Sequence, residues 1–219
     1  VMLDKVKVDK LLAPEKAYLT IRQAILNGEY APNDRLREDE LATRVGVSRT
    51  PIRSALQRLV QEGFVVFHPN SGAAVRGWSR QDAVEIFQVR ASLESLGAGL
   101  AVANATAGDI RELEALCDEM EGLRLSEETL EQLSVLNRKF HMKILRMSRN
   151  RKLEETALSL MDVGFLIRSY RNFSVKDEQR SLFHHRDLVS AFAAQNAEWA
   201  SAIMKSHILA ASDIAKDDD

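Results

Sequence analysis

The sequence predicts a mainly α-helical protein in which a single β-hairpin is confined to the first third of the chain. Two observations support this class. Apolar residues recur three and four positions apart along most of the chain, which is the spacing of one face of an α-helix. No proline follows Pro69, so no proline interrupts the helices expected in the second half. We therefore expect a small mixed unit followed by an all-α bundle.

The first helix is predicted from Pro14 to Gly28. Proline is well tolerated in the first turn of a helix, where its missing N–H has no partner to lose, and glycine is common just beyond the last turn. Residues 30–34 then predict a turn, and Arg35 and Leu36 a minimal strand. The helical side chains expected to face the core are Ala17, Ile21, Ala24 and Ile25.

Two short helices separated by a tight turn come next. The first is predicted from Glu38 to Val45, and Gly46 supplies the residue that a left-handed turn favours. Ser48 is a good N-cap for the second helix, which is predicted to run from Arg49 to Glu62. The apolar stripe of this second helix consists of Ile52, Ala55, Leu56, Leu59 and Val60.

A β-hairpin comes directly after this pair of helices. Residues 64–67 and 73–76 predict two short strands, and the segment HPNSG at residues 68–72 predicts the turn between them. Two helices, a tight turn and a hairpin together predict a winged helix-turn-helix domain over residues 8–76. Residues 77–79 are expected to be a linker.

The second helix of the pair carries the side chains that indicate DNA binding. Arg49, Arg53 and Gln57 flank its buried stripe at intervals of four residues. An α-helix fits the major groove of DNA, its N-terminal residues reach base edges, and arginine pairs with guanine O6 and N7. The alternative is an ordinary helical hairpin with solvated arginines, because helix pairs joined by a turn are common.

Composition and charge favour a globular protein whose amino-terminal unit contacts the phosphates of a nucleic acid. Of the 219 residues, 45% are hydrophobic, which is enough for a core and argues against disorder. The net charge is −2, but residues 1–78 contain 12 Lys and Arg against 9 Asp and Glu, whereas the remainder contains 18 against 23. A basic amino-terminal unit suits contact with nucleic acid, although the asymmetry is modest.

The location expected from the sequence is the cytoplasm. The first residues are charged and lack the apolar core of a signal peptide, and no run of 18 apolar residues offers a membrane span. The single cysteine, Cys117, excludes an intrachain disulfide and suits a reducing compartment.

The rest of the chain, residues 80–214, predicts an all-α domain. Ser79 and Thr106 each have an aspartate three residues later, which is the spacing of a capping box, and Ser126 precedes two glutamates at another helix start. The helices of this domain are expected over residues 80–104, 107–123, 127–149, 150–172, 178–195 and 196–214.

Three histidines of this domain occupy positions where the helical pattern expects apolar side chains. His141 follows Asn137 by four residues on an apolar face, and His185 and His207 lie on the apolar stripes of two later helices. Buried imidazoles need partners, and three converging imidazoles with an oxygen donor would suit Zn²⁺ or a similar transition metal. The alternative is three separate core histidines, each bonded to a backbone carbonyl. The adjacent His184 is expected to lie on another face.

The stretch LREDELATRVGVSRTPIRSALQRLVQEGFV, from Leu36 to Val65, resembles the GntR family of bacterial transcription regulators, and the similarity extends over residues 17–75. In that family the second helix of the pair sits in the major groove and the hairpin tip in the minor groove. Some relatives have a base-reading arginine where this chain has Asp39, so the resemblance implies that this contact is absent. The residues that the resemblance places at DNA are Arg37, Ser48, Arg49, Thr50, Arg53, Asn70, Ser71 and Gly72.

The second half resembles the FCD ligand-sensing domain of the FadR subfamily, through the segments VRASLE, NRKFH, HRDLVSAF and MKSHI within residues 80–212. Metal-binding members use Asp or Asn, a histidine four residues later and two histidines on later helices. The resemblance implies zinc as the metal, with nickel or another divalent transition metal as alternatives. An amide is a poorer ligand than the carboxylate of other members. By position the ligands are Asn137, His141, His185 and His207.

The resemblance also implies a small organic acid that binds beside the metal with the help of an arginine. Arg90, in VRASLE, matches a pocket-facing arginine of relatives, and Arg168 is a second candidate. For Arg90 the alternative is a structural salt bridge with Glu94, and for Arg168 it is a solvated surface position.

These features lead us to expect a homodimeric transcription regulator, with repression the commoner behaviour in the family and activation the alternative. It would bind a palindromic operator in double-stranded DNA, because one short helix covers few base pairs and two-fold symmetry reads both half-sites. The organic acid would shift the balance between two arrangements of the bundle. Two other functions are open: a metal-dependent hydrolase that uses water on the three histidines, and a regulator that senses the metal itself.

Overall fold

The computed structural model confirms the mainly α-helical class and describes residues 12–69, 71–77, 79–126, 128–161 and 173–214. The chain divides into two compact units, residues 1–78 and residues 79–219. Five features expected from the sequence lie wholly or partly outside the described residues: the domain start at residues 8–11, Asn70, Trp78 of the linker, residues 162–172 of the fourth bundle helix, and Arg168 within that helix.

The amino-terminal unit packs three helices beside a two-stranded hairpin. In chain order its elements are α1 (Ala13–Leu26), α2 (Glu38–Val45), α3 (Arg49–Gln61), β1 (Val65–His68) and β2 (Gly72–Val75). The strands are antiparallel, and Val65 lies opposite Val75. Arg35 adds an isolated bridge to Ala74, which is the minimal strand expected from the sequence.

The turn between α2 and α3 sets the direction in which α3 leaves α2. Gly46 adopts φ 76° and ψ 40°, a left-handed conformation that side chains with a Cβ disfavour, and its N–H donates to the carbonyl of Ala42. Helix α3 then packs on α1 through a fully buried row that includes Ile52, Leu56 and Leu59. The opposite face of α3 is therefore turned to solvent.

The carboxy-terminal unit contains only helices among its described residues. These are α4 (Arg80–Val102), α5 (Ala107–Glu121), α6 (Leu130–Met147), α7 (Arg151–Ser159), α8 (Val175–Ala193) and α9 (Ala197–Ile214). The capping boxes expected at Ser79 and Thr106 are both present. No helix in the described part of the chain is at once long enough and apolar enough to cross a bilayer.

One helix end and two helix starts differ from the sequence prediction. The helix expected over residues 150–172 ends at Ser159, and Leu160 is its C-cap. Helix α8 begins at Val175 and not at residue 178, because Ser174 forms a capping box with Asp177. Helix α6 begins at Leu130 and not at residue 127, because the side chains of Ser126 and Thr129 hold a turn before it. At α8 the hydroxyl of Ser174 accepts a free backbone N–H and sets the helix start. At α6 the side chain of Thr129 makes no cap hydrogen bond, and the turn that Thr129 forms with Ser126 precedes the helix.

Helices α4 and α9 approach each other closely through small residues. The hydroxyl of Ser95 donates to the carbonyl of Ser201, and the hydroxyl of Ser201 donates to the carbonyl of Ser95, each at 3.0 Å. A Cβ at Gly99 would lie 2.5 Å from the hydroxyl oxygen of Ser201, so only glycine fits there without movement. This contact fixes α9 against α4 in the interior of the unit.

Candidate metal centre and DNA-contact surface

Three helices of the carboxy-terminal unit bring three imidazoles together. His141 from α6, His185 from α8 and His207 from α9 are all buried, and one ligand nitrogen of each lies within 4.8 Å of the others. Nε2 of His141 is 3.2 Å from Nε2 of His207. The structure thus groups the three histidines that the helical pattern placed on separate apolar faces.

The spacing of the two Nε2 atoms suits a shared metal ion. Two imidazole nitrogens bound to one zinc at about 2.0–2.1 Å lie roughly 2.8–3.4 Å apart for angles from octahedral to tetrahedral. The observed 3.2 Å between His141 and His207 falls within that range. Two lone pairs pointed at each other at this distance would repel, so the arrangement favours either a proton or a cation between them.

A carboxylate on α4 determines which nitrogen of His141 faces the cluster. Oε2 of Glu94 lies 2.5 Å from Nδ1 of His141, so Nδ1 carries the proton and donates it. Nε2 is then free to act as a ligand. A buried carboxylate behind a histidine in this way fixes the orientation of the ring, as in many metal sites.

Glu94 is itself paired with Arg90 one turn earlier on α4. Nε of Arg90 donates to Oε1 of Glu94 at 2.7 Å, and both side chains are almost fully buried. Burial alone would raise the pKa of Glu94, but the charge of Arg90 and the hydrogen bonds that Arg90 and His141 donate outweigh it, so the pKa lies below its ordinary value. Glu94 is therefore ionised, and the salt bridge considered for Arg90 is present.

Several buried polar atoms around the histidines have no hydrogen-bond partner among the described residues. They are Oδ1 of Asn137, Nδ1 of His184, Nδ1 and Nε2 of His185, and Nδ1 of His207. Burial lowers the pKa of both His185 and His207 well below the ordinary value, and the neighbouring imidazoles lower it further. Neutral imidazoles and an unpaired amide oxygen are the donors that a divalent transition metal requires, so these residues fit such an ion.

A cavity of about 30 Å³ opens beside the cluster, with room for one or two water molecules. Arg90, Asn137 and His207 line its inner part, and Arg180 from α8 lines it near the surface, where its guanidinium pairs with Asp177 at 2.8 Å. Arg90 thus lies at the cavity as expected.

Two residues at this cavity were not assigned a role from the sequence. His184 was expected on a different face, yet it lines the cavity, and its ring centroid is 5.8 Å from that of His207. Arg180 precedes His184 by one helical turn, and this spacing could have indicated it. Helix α8 begins at Val175, three residues earlier than predicted, so Arg180 lies in its second turn.

The described residues of the expected DNA-contact set all lie on the surface of the amino-terminal unit. Ser48 is the residue before α3, Arg49, Thr50 and Arg53 lie in its first half, and their side chains are exposed. Ser71 and Gly72 are exposed at the tip of the hairpin, and Arg37 is exposed just before α2.

The arginines of this surface are paired with acids from the first turn of α2. Arg49 contacts Asp39, and Nε of Arg53 lies 2.8 Å from a carboxylate oxygen of Glu38. Arg37 lies 3.4 Å from Glu40.

Two protein families match this chain. Residues 14–75 match the family described as bacterial regulatory proteins, gntR family, and residues 85–210 match the FCD domain. The HTH-type transcriptional regulator YdhC of Bacillus subtilis is 30% identical over 215 residues, which cover 95% of this chain and 92% of that protein. The HTH-type transcriptional repressor GlaR of Escherichia coli is 26% identical, over 88% of this chain and 90% of GlaR.

Solved structures show the same fold. Lar, described as controlling the expression of the Listeria monocytogenes agr system, matches with a TM-score of 0.69 at 24% identity, over 94% of this chain and 97% of that chain. McbR/YncC of Escherichia coli matches with a TM-score of 0.61 at 23% identity, over 91% and 94% respectively.

Proposed function

The chain belongs to the GntR family and carries an FCD domain, so it is a transcriptional regulator and not an enzyme, and from this premise we propose a metal-dependent, ligand-responsive repressor. Relatives named as repressors, GlaR among them, support repression. A homodimer would present two copies of α3 to the half-sites of a palindromic operator. The hydrolase alternative is set aside, because the relatives are regulators.

The observation that carries the metal proposal is the hydrogen bond between Glu94 and Nδ1 of His141. It leaves Nε2 of His141 facing His185 and His207, and it keeps the negative charge of Glu94 behind the ring. Asn137 would add an oxygen ligand through Oδ1, which lacks a partner among the described residues. We assign zinc first, because three neutral imidazoles are among its ordinary ligand sets, and Asn137 would add a weaker oxygen ligand.

The effector we propose is a small organic acid. The metal would act as a Lewis acid that accepts the carboxylate in place of water. The acid would extend from the metal toward the open side of the cavity, where the guanidinium of Arg180 offers a charge for a second anionic group. Arg90 would orient the acid through the part of its guanidinium that Glu94 does not engage. Arg168 stays a further proposed contact.

Effector binding would change DNA affinity by population shift. An acid that binds one arrangement of the bundle more tightly favours that arrangement, and the distance between the two copies of α3 changes with it. Since α4 carries Arg90 and Glu94 and is the first helix after the amino-terminal unit, we propose that α4 transmits the change.

The decisive experiment measures the affinity of the protein for an operator selected from random DNA by the protein itself. Binding would be titrated with metal-free protein, with protein plus Zn²⁺, and with protein plus Zn²⁺ and a panel of small mono- and dicarboxylates. We expect one acid to lower operator affinity only when metal is present. A response to Zn²⁺ alone, with no acid active, would replace this proposal by metal sensing, which the small volume of the cavity also favours.

A further inference from the structure

Two acids in the first turn of α2 contact the arginines of α3. Nε of Arg53 donates to both carboxylate oxygens of Glu38, at 2.9 and 2.8 Å. Nε of Arg49 forms an ion pair with Asp39. The third acid of the same turn, Glu40, contacts Arg37 instead and does not reach α3. Each of the two arginines of α3 that are expected to contact DNA therefore has its own carboxylate.

The atoms engaged by these contacts matter for base recognition. A guanidinium has five N–H donors, one on Nε and four on the two Nη atoms. Glu38 occupies the Nε donor of Arg53, and no hydrogen bond from either Nη atom of Arg53 to another described residue is present. Pairing with O6 and N7 of guanine needs two parallel donors. Because Glu38 engages only Nε, the N–H donors on the two Nη atoms of Arg53 stay available for guanine.

The exposure of the partners supports a positioning role more than a stabilising one. Arg53 is 61% exposed and Glu38 is 28% exposed, and an ion pair this exposed adds little to folding stability. A long arginine side chain loses rotamer freedom when it binds a base. A carboxylate that already restricts the side chain lowers that loss for one orientation. It also places a negative charge near DNA, which disfavours binding to any sequence.

We propose that Glu38 and Asp39 are specificity-determining positioning residues that orient Arg53 and Arg49 for guanine. The inference rests on the proposed function, in which α3 reads the operator. The two acids weaken binding to all DNA through repulsion of phosphate, and they raise discrimination between guanine and the other bases by restricting each guanidinium.

The test compares three variants that each remove one negative charge from the same helical turn: Glu38→Gln, Asp39→Asn and the control Glu40→Gln. Affinity would be measured for the selected operator and for versions with each guanine of a half-site replaced in turn. Arg53→Ala and Arg49→Ala identify the guanine that each arginine reads. It is the guanine whose replacement no longer lowers the affinity of the alanine variant for the operator. Thermal melting checks that each variant is folded.

We expect Glu40→Gln, which releases Arg37 and no arginine of α3, to strengthen binding to all sequences and to leave discrimination at the Arg53 and Arg49 positions unchanged. Glu38→Gln should lower the preference for guanine at the Arg53 position by about five- to tenfold, which is part of the discrimination of one bidentate arginine. Asp39→Asn should do the same at the Arg49 position only. In the Arg53→Ala background, Glu38→Gln should have no effect on base preference.

Two results would overturn the inference, and they distinguish failure of the positioning role alone from failure of the proposed DNA contact. If Glu38→Gln and Asp39→Asn behave like Glu40→Gln while Arg53→Ala weakens operator binding, α3 reads DNA but the acids do not position its arginines. If Arg53→Ala and Arg49→Ala leave operator binding unchanged, the proposed DNA contact fails and the positioning role fails with it.

Discussion

The carboxylate of Glu94 lies 2.5 Å from Nδ1 of His141, although 47 positions separate them in the chain. This contact joins α4 to α6 in the interior of the carboxy-terminal unit. It couples two parts of the candidate site, because Glu94 also accepts a hydrogen bond from Arg90 at the cavity. Two hydrogen bonds therefore connect Arg90 to the imidazole ring of His141, so a change at Arg90 can alter the position of that ring.

Replacing Glu94 by glutamine is expected to weaken metal binding and to destabilise the fold. The amide keeps the shape but removes the charge, so Arg90 is left as a buried cation without a counter-ion, which costs about 3–5 kcal/mol. Loss of a carboxylate behind a ligand histidine lowers metal affinity by about 10–100-fold. Denaturant unfolding without metal and a competitive metal titration measure the two effects. Glu85→Gln, exposed on the same helix, should change neither.

His185→Ala is expected to abolish bound metal, because it removes one of three imidazoles, each of which would supply one bond to the ion. Elemental analysis of purified protein measures the metal content. The adjacent variant His184→Ala is the matched control and should retain the metal, since the three-histidine group does not include His184. Full metal content in His185→Ala, with the protein folded, would disprove this ligand set.

Asn137→Asp is expected to raise metal affinity by about tenfold. A carboxylate at this position adds a charge that attracts a divalent cation by several kcal/mol, of the order of 4 kcal/mol per unit charge at about 4 Å and an effective dielectric constant of about 20. Desolvation of the buried carboxylate offsets part of that gain. Asn137→Ala should instead lower the affinity. Competitive titration against a chelator distinguishes these outcomes, and equal affinities for all three proteins would show that Asn137 is not a ligand.

Arg53→Ala is expected to weaken binding to the selected operator by about 1–3 kcal/mol, because one bidentate contact with guanine is lost. Affinity for unrelated DNA should fall much less. Fluorescence anisotropy with both DNAs, at one fixed salt concentration, measures the difference. Arg44→Ala serves as the control, since the guanidinium of Arg44 is held by Glu29 and Tyr30 and not by the acids that face α3. An equal loss for both DNAs would assign Arg53 to phosphate.

Local signals predicted most of the fold. Gly46, Ser48 and Ser79 mark helix ends through their backbone conformation or capping groups, and these signals lie within a few residues of the boundary they set. The two helix starts that were wrong depend on Ser126 with Thr129 and on Ser174 with Asp177. Ser174 lies four positions before the start predicted for α8, and Ser126, the start signal expected for α6, instead closes a turn with Thr129 before the helix begins.

The candidate site was predictable only in part. The helical pattern identified His141, His185 and His207 as inward-facing, because that property belongs to each helix alone. Their convergence, the contact of Glu94 with His141 and the position of His184 at the cavity depend on how α4, α6, α8 and α9 pack. Spacing within one helix carries no information about those distances. Arg90 and Glu94 were recognisable as a pair, since both lie on α4 one turn apart.

The capping box at Ser79 places the start of α4 ten residues before Arg90 on one uninterrupted helix, a distance of roughly 15 Å. Such a helix conveys rotation as well as displacement. One residue inserted in the first turn of α4 would rotate the residues before it by about 100° about the helix axis relative to Arg90. An insertion of seven residues, nearly two full turns, would restore the original orientation. Effector response should therefore vary periodically with insertion length while metal content stays constant.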